Sequence, residues 1–196
     1  MKHPASQAFF RYWDAARGLA DAPSRRDFDP GPVRGLLGDS FVLACDGRRG
    51  HPIRMAGTRV CALFGRDLKG EGFASLWDGA GRGRIEELIT IVANESQPLV
   101  AGVTACPEGA QSGRLALELL LLPLQGESAG MASVAGLLAP LTAIDPTEKL
   151  RRLGLTGWRY LNRQPAPRPG RQARHWRVAH GITLFQADGG SAGHPK

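Results

Sequence analysis

What this chain lacks narrows it before any motif does. No uninterrupted apolar run reaches membrane-spanning length; the strongest candidate, LALELLLLPL, is broken by Glu118 and Pro123. The first residues, MKHPASQAFFRYWDAARG, mix charges with aromatics where a secretory signal needs a clean apolar stretch, so no membrane span and a cytoplasmic location are expected. Cysteine is scarce. Cys45, Cys61 and Cys106 are odd in number, far apart and free of Cys-x-x-Cys spacing, which argues against a disulfide framework or a zinc site. No histidine lies between His51 and His175, so the middle of the chain offers no axial haem ligand. His175 and His180 are five apart, a spacing that suits neither a helical nor a strand-face metal pair.

Acidic residues are missing from one end only. Residues 1–145 carry 15 Lys and Arg against 16 Asp and Glu, whereas residues 146–196 carry 10 against 2, Glu148 and Asp188. The overall charge of +7 therefore belongs to the C-terminal segment. The expected organisation is a nearly neutral domain over 1–145, followed by a basic, Pro/Arg-rich and partly disordered tail over 146–196.

Within the domain, SQAFFRYWDAARGLA has apolar residues at helical spacing, with Ser6 as the expected cap. SFVLACD and HPIRMAG read as a hairpin joined by GRRG. TRVCALFG reads as a short helix that starts at a capping Thr58 and stops at Gly65. GRGRIEELITIVANES is a longer helix, with Ile85, Leu88, Ile89 and Val92 forming its apolar stripe. Three strands follow, QPLVAGVTAC, GRLALELLLLPL and GMASVAGLLAPL. After Asp145, EKLRRLGLTGWRYLNRQ has at most a weak helical pattern, against which Gly154 and Gly157 argue. The fold class is α+β, with the strands in one mostly antiparallel sheet.

The ordered pieces YWDAARG, PSRRDFDP, IRMAGTRVCALFGRDLKG with the following Phe and Trp, LELLLLPL and AGLLAPL span residues 9–142. Together they resemble the compact stand-alone PAS-like family of alphaproteobacteria. That resemblance implies a five-stranded antiparallel sheet with helices on one face, preceded here by an N-terminal helix. It also implies a sensory or adaptor role in signalling, without inherent catalysis; the residues themselves lead to no cofactor being expected. In such a fold Met55, Cys61, Phe64, Phe73, Trp77, Leu88 and Leu117 would form the wall of a small-ligand pocket, where one exists.

The chemistry-bearing candidates each have a plainer reading. Light-sensing PAS relatives bind flavin through a cysteine in the helix after the second strand, but RVCALFG lacks their Asn, Arg and Gln partners, and Cys61 reads as a core residue. GGSAG near the C-terminus has no room for the helix that a nucleophile elbow requires. GAGRG before the longer helix lacks the glycine spacing of a phosphate loop. Arg54 and Glu118 interrupt apolar strands and are expected on the solvated face of the sheet.

Two contact surfaces are expected. Phe9, Tyr12 and Trp13 on the first helix, beside an exposed sheet face, would meet a protein partner or a second copy of the chain. Arg159, Arg163, Arg171, Arg174 and Arg177, interleaved with Trp158, Tyr160 and Trp176, form the alternative, a nucleic-acid contact in which charges meet phosphates and rings stack on bases.

Overall fold

The structure, a computed structural model, describes residues 1–25, 28–29, 31–107, 114–126, 132–145 and 147–161, and the backbone of 176–178 and 182–184. Two compact units are distinguished, Met1–Asn162 and Arg163–Lys196. In the second, β7 (Trp176–Val178) pairs antiparallel with β8 (Ile182–Leu184).

The first unit is built on one antiparallel sheet of β1 (Ser40–Ala44), β2 (Ile53–Ala56), β3 (Leu99–Pro107), β4 (Leu115–Leu124), β5 (Ser133–Pro140) and β6 (Leu150–Tyr160). Its order is β2-β1-β5-β4-β3-β6. The α+β expectation holds, but the sheet has six strands. The sixth comes from residues assigned to the tail by sequence. β6 pairs with β3 from Leu99↔Tyr160 to Pro107↔Leu150, with register shifts at Gly102/Val103 and Ala105/Pro107. Those bulges break the alternation that marks a strand in sequence, and Gly157 lies opposite Gly102 within the ladder. The domain therefore continues well past Asp145.

The sheet is also covered on both faces, not one. On the first lie α2 (Thr58–Phe64), the 3-10 turn Phe73–Leu76 and α3 (Gly79–Asn94). Ile85, Leu88, Ile89 and Val92 are buried there as the helical stripe requires, against Leu43, Leu99, Val103, Leu117, Leu119, Val134 and Leu153. Asp78 starts α3 by accepting a hydrogen bond from the Gly81 amide at 2.6 Å. GAGRG is thus the opening turn of a helix whose N-terminus already holds a carboxylate.

The second face is taken by α1 (Pro4–Arg17) and the kinked 3-10 segment Gly31–Asp39. His3, not Ser6, caps α1: its Nδ1 accepts from the Ala5 amide at 3.2 Å, and Pro4 occupies the first turn, where a missing amide hydrogen costs nothing. Phe9 and Trp13, four residues apart, point down onto Val100, Leu120, Leu122, Leu124, Leu137 and Ala139. β3 ends its pairing with β4 at Leu121, so Pro123 leaves no bond to β3 unfilled, and its carbonyl accepts the Trp13 indole N–H at 2.8 Å.

Two glycines are fixed by close approach. A Cβ at Gly57 would lie 2.0 Å from the Leu37 carbonyl oxygen, which is why β2 turns into α2 at that residue. Gly57 is also the N-cap, with no side-chain bond, so Thr58 does not serve as the cap. A Cβ at Gly136 would lie 2.1 Å from the Phe41 ring on the neighbouring strand.

Candidate functional site

The residues expected to wall a pocket converge, but around their own side chains. Phe64, Phe73, Trp77, Leu88 and Leu117 belong to one buried cluster between α2, α3 and the sheet. Phe73 stacks on Phe41 at 4.9 Å between ring centroids and meets Trp77 edge-on at 6.0 Å. These rings pack on one another between α2, α3 and the sheet. Cys61 is half-buried against this cluster rather than central to it. Met55 is not part of the wall. It is 50% exposed on β2, because the register of β2 on β1 shifts after it and Ile53, not Met55, supplies the inward side chain.

The expected partner surface is likewise occupied from within. Phe9 and Trp13 are each only 2% exposed, sealed by α1 against its own sheet. Tyr12 sits at the rim, where its hydroxyl donates to the Asp29 carbonyl and its ring lies 5.1 Å from Phe28. Burial, aided by the Asp29 carboxylate, raises the Tyr12 phenol above its ordinary pKa. Of the basic residues, Arg159 is exposed on β6 and Arg177 lies on the β7 backbone. Arg163, Arg171 and Arg174 lie outside the described residues.

Glu118 departs from its expected solvated position. It points to the second face, but α1 covers that face, and the carboxylate is buried. It accepts from the backbone N–H groups of Lys2 at 2.5 Å and His3 at 3.1 Å. A negative charge at the start of α1 is favourable both to the unpaired amides and to the helix dipole, so Glu118 anchors the first helix. Arg54 is exposed, as expected, at the bulge where the register of β2 on β1 shifts.

The structure also brings forward His51, to which the sequence alone assigned no role. His51 is 2% exposed, has φ of 55° and presents both ring nitrogens without a partner among the described residues. Its amide donates to the Asp46 carbonyl at 2.9 Å and its carbonyl accepts from Phe73 at 3.1 Å, which ties the hairpin loop to the 3-10 turn below. Burial lowers the imidazole pKa and outweighs the opposing influence of Glu86 and Asp46. The only available sequence signal was the His-Pro pair at a strand start.

An open apolar groove of about 560 Å³ lies beside α2. Ala62, Leu63, Pro140, Leu141, Ala143 and Ile144 line it, with Asp145 and Glu148 at its margin. Arg59 fixes one side, holding both carboxylate oxygens of Asp39 at 2.7 and 2.8 Å and the Gly35 carbonyl at 2.9 Å. This bidentate clasp joins α2 to the 31–39 segment. Asp145 accepts from the amide and hydroxyl of Thr147, which holds its carboxyl below the ordinary carboxylate range.

Among the described residues no group of three or more His, Cys, Asp or Glu is arranged to hold a metal, and no helix is long and apolar enough to cross a membrane. No curated protein sequence matches the chain. Residues 1–139, more than half of the sequence, match the model of the PAS-domain family, and the chain belongs to that family.

Proposed function

We propose that this PAS protein is a non-catalytic regulatory adaptor that relays signals by binding another protein at its surface, not by enclosing a ligand in its interior. PAS domains commonly serve sensing and protein contact, and that supplies the class of role. The observation that favours a surface mechanism is the mutual packing of Phe41, Phe73 and Trp77 between the helices and the sheet.

The apolar groove beside α2 offers a place for such contact. Its lining suits one or two apolar side chains of a partner segment, and Asp145 and Glu148 favour a cation next to them. Arg59 and Asp39 keep the wall rigid, so little ordering is needed on binding.

Two measurements on the full chain test this reading. Native mass spectrometry follows gel filtration at high salt, which strips ions held only by exposed charge. A whole number of bare chains is expected; a retained organic molecule would return the function to the interior. A photoreactive residue replacing Leu63 should crosslink one protein in cell extract, and one replacing the exposed Arg34 should not. Equal crosslinking from both positions would overturn the groove as the contact surface.

A further inference from the structure

We infer that a second cleft, at the β2 end of the sheet, binds an oligophosphate group. The cleft encloses about 720 Å³. Among the described residues, Arg25, Arg49, Arg54 and Lys69 line it, together with the acid Asp46 and a floor that includes Ala44, Ile53 and Ala132. The four cations come from four places: the connector after α1, the turn between β1 and β2, β2 itself and the loop after α2.

Among the described residues, none of these four cations takes part in an ion pair. Described ion pairs join Arg17 to Asp14, Arg59 to Asp39, Arg66 to Glu71 and Arg84 to Glu87, and none of these involves the four cleft cations. The Asp46 carboxylate accepts the Arg48 amide at 3.1 Å. Four gathered positive charges repel one another, and a bound polyanion would relieve that repulsion.

The backbone beneath each cation is held in place. The Arg25 amide donates to Gln125 at 3.1 Å and the Arg49 amide to Asp46 at 3.2 Å. Arg54 is the residue left unpaired where the register of β2 on β1 shifts. The Lys69 amide donates to the Asp67 carboxylate at 2.9 Å, and the next residue, Gly70, donates to the Ile53 carbonyl at 2.7 Å.

Three guanidinium groups and one ammonium suit phosphate oxygens better than isolated carboxylates, because each guanidinium can bond two oxygens of one group. The space exceeds what one orthophosphate fills and falls in the size range of nucleotide-like ligands. Among the described residues no aromatic side chain lines it, and these residues offer no surface on which to stack the bases of a single strand.

The test is calorimetric titration of the full chain, at physiological salt, with pyrophosphate, tripolyphosphate and orthophosphate. The two oligophosphates should saturate at one per chain, and orthophosphate should bind more weakly by about tenfold or more. The R49Q/R54Q variant, altered only at exposed positions, should weaken oligophosphate binding by about tenfold or more. The R171Q/R174Q/R177Q variant should stay within about twofold of wild type if the tail's general charge plays no part. A nucleoside diphosphate distinguishes the sources: affinity equal to that of pyrophosphate means the phosphates alone are read, and tighter binding means a nucleotide is. No saturable binding by the wild-type chain, or a loss that follows the tail variant instead of the cleft variant, overturns the inference.

Discussion

His51 combines three properties that rarely coincide: near-complete burial, a left-handed backbone and two unpartnered ring nitrogens. Burial disfavours the charged imidazole and outweighs the opposing influence of Glu86 and Asp46. Its folded pKa lies below the ordinary 6.5, and the unfolded chain therefore binds more protons just below that pH. His51 then makes its full contribution above pH 6.5, and stability falls as the pH drops from there toward the lowered folded value. Replacing His51 with Asn, which accepts a positive φ, should flatten this part of the profile. Urea midpoints measured every half unit from about pH 7.5 to 5 would show it. Identical slopes in the two proteins would assign the acid sensitivity elsewhere.

At the scale of elements, α1 decides how the sheet is used. Its apolar stripe was legible in sequence, since Phe9 and Trp13 stand at helical spacing. What the stripe faces was not. A strand's alternation says that two faces differ, but a face covered by a helix far away in the chain looks the same in sequence as one awaiting a partner. Leu120, Leu122 and Leu124 carried the missing signal, because with Leu117, Leu119 and Leu121 they make β4 apolar on both faces. A strand of that kind is sandwiched. Trp13→Ala should accordingly cost about 3–5 kcal/mol of stability through lost buried volume. Trp13→Phe keeps most of the ring and forfeits the indole donation to Pro123, so its cost should be about 1 kcal/mol. Denaturant melts check both values. Two variants indistinguishable from wild type would mean that α1 merely rests on the sheet.

For the whole molecule, the decisive element is β6, which lies beyond the matched span of residues 1–139. The change from a balanced to a basic composition suggested a boundary at Asp145, because charge is easier to see than pairing. Leu150 and Leu153 are nevertheless core residues, and the Leu153 carbonyl accepts the Asp78 amide at 2.9 Å, next to the start of α3. Arg152 adds bonds from its guanidinium to the Ser75 and Trp77 carbonyls at 3.3 and 3.2 Å. Removing residues 146–196 would delete all of these contacts and leave β3, with its nine residues, as an unpaired edge. Removing only 163–196 would leave them intact. The shorter fragment should therefore aggregate or unfold without a cooperative transition, whereas residues 1–162 should melt cooperatively close to the full-length midpoint. Calorimetry of the two fragments beside the intact chain decides the matter. A cooperative melt of residues 1–145 at an unchanged midpoint would reduce β6 to an appendage, and the interior would then have to be stable on five strands alone.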